Sequence, residues 1–351
     1  MRLDEPSWWY RREPSALARG LKPLSAVYSW AARRRILRTT PVRSKLPVIC
    51  VGNLVAGGTG KTPFTIVVAA ALIRSGERPA ILTRGYGGRH TGQHWVDPTT
   101  DSAADVGDEA LLLAEHAPTL VSRDRVAGAA AIEAAKAGYT VIVMDDGLQN
   151  PSLAKDLRIA VVDGRRGIGN GLVLPAGPLR APLAFQLDAV DAVLVNHPPG
   201  SDAPASTITG WLQQNFHGPV LEARTRPDED TEWVKGTRLV AFAGIANPQR
   251  FFRLLDALGA ETVATLTVPD HHAFTESDAG RILALARSHK ALPVTTEKDR
   301  VRLWGTSGLR GELWQQSRAV GIRLILEERD SGRLEALLSA AVAARSARQS
   351  R

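Results

Sequence analysis

The segment Gly52-Asn53-Leu54-Val55-Ala56-Gly57-Gly58-Thr59-Gly60-Lys61-Thr62 carries the most specific chemistry in the chain. Glycines at this density let successive backbone N–H groups converge on phosphate oxygens. Lys61 then reaches the β- and γ-phosphates, and the Thr62 hydroxyl suits Mg²⁺. A strict phosphate loop has glycine five residues before Gly60, where this chain has Val55. A nucleotide site also needs an acid on a neighbouring strand, for the metal or its water. The apolar run 141–144 supplies one by ending in Asp145-Asp146-Gly147. Two more polar groups stand out. Gly107-Asp108-Glu109 opens a helical stretch, where the acids could also simply cap the dipole, an effect of about 0.3–1 kcal/mol. Asp270-His271-His272 precedes Phe274 and the helix cap Thr275, and nothing local distinguishes these histidines from surface residues.

Placing such residues together requires strands alternating with helices. The pattern predicts strands over 47–52, 79–83, 119–122, 140–144, 158–162 and 189–196, and helices over 61–74, 108–116, 126–137 and 208–216. The strands are rich in Val and Ile without polar alternation, which implies a parallel sheet covered on both faces. The fold class is therefore α/β, a P-loop NTPase-like doubly wound sheet over 46–219. Residues 220–236, turning at Asp228-Glu229-Asp230, read as a β-hairpin linker. A second, smaller α/β domain follows over 237–344, with strands at 239–243, 262–267, 292–295 and 323–326 and a closing helix at 334–344. Residues 345–351 read as a frayed tail.

The chain has 351 residues, 44% hydrophobic, with a single cysteine, Cys50. That composition excludes intrinsic disorder and a disulfide-stapled scaffold, and favours a reducing, cytoplasmic setting. The formal net charge is +8, and all of it falls in residues 1–45, where eleven Lys/Arg face three acids. The other 306 residues carry 33 basic and 33 acidic side chains, so a nucleic-acid-binding body is disfavoured. The same leader holds Trp8, Trp9, Tyr10, Tyr28 and Trp30. Leu17, Leu21, Leu24, Val27, Tyr28 and Ala31 share one helical face, and Pro23 kinks that helix or begins a second one. No apolar run approaches the roughly 18 residues of a transmembrane helix. An apolar stripe flanked by Trp, Tyr and Arg suits a helix lying in an anionic membrane surface; a helix packed on the protein's own body is the alternative.

Together these blocks resemble the tetraacyldisaccharide 4′-kinase (lipid A 4′-kinase) family. The resemblance runs through Trp8-Trp9-Tyr10, the glycine-rich loop to Pro63, Arg84-Gly85-Tyr86-Gly87-Gly88-Arg89, Gly107-Asp108-Glu109-Ala110 and Arg123-Asp124-Arg125. It continues through Asp145-Asp146-Gly147-Leu148-Gln149, Gly169-Asn170-Gly171, 174–180, Phe242-Ala243-Gly244-Ile245, Asp270-His271-His272-Ala273-Phe274 and Thr296-Glu297-Lys298-Asp299. It implies ATP- and Mg²⁺-dependent phosphorylation of the 4′-hydroxyl of a tetraacylated disaccharide 1-phosphate, giving lipid IVA. The expected setting is the cytoplasmic face of the bacterial inner membrane, with no nucleic-acid partner and no obligate protein partner. It further implies that Asp108 is the base, assisted by His271. Lys61 and the amides of Gly57, Gly58, Thr59, Gly60 and Thr62 would hold phosphates, and Thr62, Glu109, Asp145 and Asp146 would hold Mg²⁺ or its waters. Asn53, Arg84, Tyr86, Arg125, Asn170 and Arg180 would contact the sugar and the 1-phosphate.

Three departures accompany the resemblance. Asn150 stands where the family often has histidine, Ala181 where glutamate is common, and the family shares the Val55 deviation. The first two bear on substrate fit and leave the phosphate chemistry alone. A membrane-recruited ATPase switch would share residues 57–62 but carries a lysine where this chain has Ala56, and its membrane helix is typically C-terminal. A small-metabolite kinase would account for the loop but not for the aromatic, basic leader.

Overall fold

The computed structural model describes residues 5–11, 13–199 and 207–349. Arg2, Asp4 and Arg12 of the leader, and Ser350 and Arg351 of the tail, lie outside the described residues. The chain forms strands β1 (Val48–Asn53), β2 (Pro79–Thr83), β3 (His94–Trp95), β4 (Thr119–Val121), β5 (Val141–Asp145), β6 (Leu157–Asp163) and β7 (Ala192–His197). After these come β8 (Val220–Pro227), β9 (Arg238–Ala243), β10 (Glu261–Thr267), β11 (Leu292–Thr296), β12 (Arg318–Val320) and β13 (Ile322–Leu326). Nine strands make the large sheet, in the order β13-β8-β7-β6-β1-β5-β2-β4-β3, and four make the small one, β10-β9-β11-β12. Every pairing is parallel except β3 with β4 and β13 with β8, at the two edges of the large sheet.

Burial on both faces explains the apolar runs. Ile49 and Val51 of β1 pack with Val141 and Val143 of β5 into one core, while Val48, Cys50, Ile142 and Met144 face the other. The helix Lys61–Arg74 closes the first core through Phe64, Val68, Ala71 and Leu72, spaced for one helical face. Its interior includes the β-branched run Thr65-Ile66-Val67-Val68, which lowers intrinsic helix propensity, so packing rather than propensity holds it. Parallel pairing then brings the C-terminal ends of β1, β2, β5, β6 and β7 to one edge, where ligands of open α/β sheets bind. Asn53, Thr83, Asp145, Asp163 and Asn196 all stand there.

The hairpin expected over 220–236 does not form. β8 pairs in parallel with β7 on one side and, on the other, antiparallel with β13, Ile322 opposite Pro227 and Leu326 opposite Ala223. Between β8 and β9 the chain makes only a short 3-10 turn, Glu232–Val234. The strand expected at 323–326 therefore belongs to the large sheet, not to the small one. The closing helix, Glu328–Gln349, follows it there, burying Leu334, Leu338 and Ala341 against the core of the large sheet. The apolar run Ile322-Arg323-Leu324-Ile325-Leu326, broken only by Arg323, fits a strand of either sheet, and its partner is set by a distant strand. The same helix carries Arg345 where a frayed tail was expected.

In the leader, a helix begins at Lys22 with Pro23 in its first turn and runs to Arg38. It docks through Ser25, whose Oγ donates to Val173 O at 2.8 Å and accepts from Ala176 N at 3.1 Å. Leu24, Val27 and Tyr28, with Leu17 from the preceding turn, are 42–64% exposed. The apolar stripe thus faces away from the protein body. Among the described residues, no helix is long and apolar enough to cross a membrane.

Candidate active site

The phosphate loop is shaped by its own side chains. Gly57 and Gly60 sit at φ of 102° and 95°, in the left-handed region, and Gly60 leads directly into the helix that starts at Lys61. Asn53 Nδ2 donates to Gly57 O at 2.9 Å and its Oδ1 accepts from the Thr59 hydroxyl, tying the two ends of the loop together. From β7, Asn196 Nδ2 donates to Thr59 O at 3.0 Å, while Thr225 Oγ1 fixes the Asn196 amide by donating to its oxygen. Val55 packs with Val173 and Leu179, and its carbonyl accepts from Arg180 Nε. An apolar anchor at that position explains why glycine is not needed there.

Acids and bases converge on the loop. Asp145 is buried at the end of β5, accepting from Thr65 and Thr83 hydroxyls at 3.2 Å each. Burial and the charge of Glu109 push its pKa up to about 6. Its neighbour Asp146 receives Arg180 on both oxygens, at 2.8 and 3.3 Å, with Lys61 Nζ at 3.9 Å. Burial would raise its pKa, but Lys61 and Arg180 more than offset that and hold it low.

Asp108 and Glu109 open the helix Asp108–Ala114, and the small-sheet lobe reaches across to both. Asp108 Oδ2 lies 3.0 Å from His271 Nδ1, and Arg302 donates to the same oxygen from Nε at 2.8 Å and from Nη2 at 2.5 Å. Arg302 is held on its own side by Asp299 and Gly244 O. Lys298 Nζ donates to Glu109 at 3.3 Å and lies 3.4 Å from His271 Nε2. Burial opposes ionisation of Asp108, yet the hydrogen bond from His271 and the charges of Lys298 and Arg302 carry its pKa well below the usual carboxylate range. The Tyr86 ring stands edge-on to His271, centroids 5.2 Å apart.

A cleft of about 2020 Å³ joins these groups, lined by the phosphate loop, Arg84, Tyr86, Glu109, Asp145, Asp146 and Arg180 from one lobe and by His271 and Lys298 from the other. It is larger than the roughly 300–1,000 Å³ of a single small-molecule site. Two expected acceptor contacts are corrected by the geometry. Asn53 is fully buried and engaged within the loop. Asn170 braces its own loop, through Ala176 O and Leu172 N, and does not line the cleft. Arg125 lines the cleft although it is only 3% exposed, its guanidinium donating to the carbonyls of Ser122 and Asp145. Ala181 is likewise buried, whereas Asn150 lines the cleft.

Sequence reasoning missed Arg302 and gave Lys298 no role. Their only signal was a polar i, i+4 pair in a stretch whose target lies on another lobe. It also missed Glu5. The Glu5 carboxylate rests against Gly57, where a Cβ would collide with it, and is held by Tyr10 and Arg166 at 2.8 Å each. The aromatic leader thus touches the phosphate loop.

A glycine-rich loop at a strand-to-helix junction, acids at the neighbouring strand end and a carboxylate–histidine pair facing it across a cleft define a P-loop phosphotransferase. The sequence model of the family described as tetraacyldisaccharide-1-P 4′-kinase matches residues 17–342. Tetraacyldisaccharide 4′-kinase of Methylobacterium nodulans is 49% identical over 304 residues, covering 86% of this chain and 88% of that protein. The Rhodospirillum centenum protein of the same name is 46% identical, covering 94% of each. A crystal structure of LpxK from Aquifex aeolicus in complex with ATP superposes with a TM-score of 0.73 at 26% identity, over 93% of this chain and 99% of that one. The chain belongs to the tetraacyldisaccharide-1-P 4′-kinase family.

Proposed function

We propose that the chain transfers the γ-phosphoryl group of ATP to the 4′-hydroxyl of a tetraacyldisaccharide 1-phosphate, working from the cytoplasmic face of the inner membrane. The observation that carries this reading is the approach of His271 to Asp108, 163 residues apart in sequence, across a cleft that also contains the phosphate loop. In it, Lys61 and the amides of residues 57–62 offset charge on the transferring group, the larger part of phosphoryl-transfer catalysis. Asp108, kept ionised and oriented, accepts the hydroxyl proton. A weak but fixed base suffices when the transition state is loose and the proton leaves late.

The oxygen-only donors at the loop end of the cleft fit Mg²⁺. Burial and the charge of Glu109 raise the cost of ionising Asp145 there, a cost that a dication would relieve. Thr62, Asp145 and Glu109 would hold the ion, with Asp146 shared between it and Arg180. Bound Mg²⁺ would neutralise the β- and γ-phosphate oxygens. Arg84 and Tyr86, both exposed in the cleft, and Arg180 at its wall are the side chains offered to sugar and 1-phosphate.

The leader supports delivery of a lipid acceptor. Its outward apolar stripe and its arginines suit an anionic membrane surface, at on the order of 1 kcal/mol per basic residue. The test uses an acceptor in which the 4′-hydroxyl is replaced by hydrogen. ADP release should follow the normal lipid and fall to background with the 4′-deoxy lipid; equal turnover on both would overturn the assignment.

A further inference from the structure

We propose that His90, His94 and Asp101 form a second metal site, for a transition-metal dication of the zinc class, separate from the Mg²⁺ chemistry of the cleft. Their ligand atoms all lie within 4.8 Å of one another, and among the described residues no other group of three or more His, Cys, Asp or Glu does this. None of the three lines the cleft.

The cluster is built by the strand and loop between Tyr86 and Asp108. His94 belongs to β3, whose pairing with β4 fixes it opposite Val121. Its Nε2 lies 2.8 Å from Asp101 Oδ2, and that oxygen also accepts from Asp97 N at 2.9 Å, so the carboxylate is oriented by the backbone. The imidazoles of His90 and His94 lie parallel, 7° apart in plane with centroids at 4.1 Å. Because a metal binds in the plane of each imidazole, the two rings must turn out of this stack for one nitrogen of each to aim at a shared cation. The His94 and Asp101 side chains are 31% and 12% exposed, leaving one open side for water as a fourth ligand.

Donor chemistry selects the ion. Two imidazole nitrogens and one carboxylate suit Zn²⁺, Co²⁺, Ni²⁺ or Cu²⁺, while Mg²⁺ prefers oxygen ligands throughout. The backbone indicates what such an ion does. Arg89 N donates to Ala104 O and His90 N to Asp105 O, both at 3.1 Å, and a Cβ on Gly88 would come within 2.6 Å of Asp105 O. A metal joining 90 and 94 to 101 pins together the two arms that lead to Tyr86 on one side and to Asp108 on the other. Its role is to staple this strap, without touching the reacting atoms.

The test uses the full chain with any affinity tag removed, dialysed against Zn²⁺ or Co²⁺ in millimolar Mg²⁺. The expected result is one Zn²⁺ per chain, a rise in Tm on Zn²⁺ addition, and visible d–d bands with Co²⁺ that Zn²⁺ abolishes. The double variant His90→Ala/His94→Ala should lose about 100-fold or more in Zn²⁺ affinity and the Tm response, with Mg²⁺-ATP kinase activity in zinc-free buffer unchanged. Asp101→Asn, which keeps an acceptor for Asp97 N, should weaken binding about tenfold or more and serves if the double variant does not fold. Substoichiometric Zn²⁺ on the wild-type chain would overturn the proposal. So would full Zn²⁺ binding retained by the double variant, which would place the ion elsewhere, for example at His271.

Discussion

At the scale of single residues, Asp108 is held more firmly than a simple surface acid. His271 and the Nε–Nη2 edge of Arg302 meet on one carboxylate oxygen. Lys61→Ala and Asp108→Ala should each abolish phosphoryl transfer, and Asp108→Ala should leave ATP binding nearly intact, as calorimetric titration can check. Truncating His271 to Ala should cost about 10²-fold in kcat; an unchanged rate would deny it any part in the chemistry. Because the folded pKa of Asp108 is depressed, its ion pair stabilises the fold fully above the unfolded value near 3.9 and is lost as pH falls through the folded value. Asp108→Asn should therefore lower stability at neutral pH, and the deficit should stay constant down to about pH 4.5 and shrink only below that. Its size should be on the order of 2 kcal/mol, less than the roughly 3–5 of an orphaned buried charge, since Arg302 keeps Asp299. Denaturant titrations of both proteins across this range give the answer.

At the scale of elements, what was legible in the sequence is what is local. The phosphate loop, the strand ending in Asp145 and the helix opening at Asp108 each announce themselves within a dozen residues, since turn chemistry and buried-strand composition act over that distance. β13 did not, because its partner is β8 and strand pairing over a hundred residues leaves no local trace. Arg302 and Asn53 went astray for related reasons. One acts on a different lobe, and the other lies in a motif whose side chain serves the loop itself. Two elements invite direct tests. Gly60→Ala places a Cβ against Asn196 at a left-handed φ, a backbone cost of about 1–2 kcal/mol before the clash, and should weaken ATP binding at least about tenfold. Replacing Leu24, Val27 and Tyr28 by Ser should abolish flotation with anionic vesicles and reduce turnover of lipid, while nucleotide affinity stays the same. Vesicle binding by the triple variant equal to the unmodified chain would remove the membrane role of this helix.

At the scale of the whole molecule, charge and chemistry are divided. The body beyond residue 45 is electrically neutral overall, and the whole formal excess of +8 sits in the leader. That leader docks by Ser25, rests Glu5 on the phosphate loop and turns its apolar stripe outward. The large sheet supplies the nucleotide loop and its acids, and the small-sheet lobe supplies His271, Lys298 and Arg302. Neither lobe alone has a complete site, so the chemistry runs between them and is directed at a lipid hydroxyl. The most direct measurement is incubation of the full chain with γ-labelled ATP and tetraacyldisaccharide 1-phosphate in detergent micelles, followed by separation of the lipids. The prediction is label on the lipid as a second phosphate, absent with Asp108→Ala. Label appearing only as inorganic phosphate, or on the lipid equally with Asp108→Ala, would contradict it.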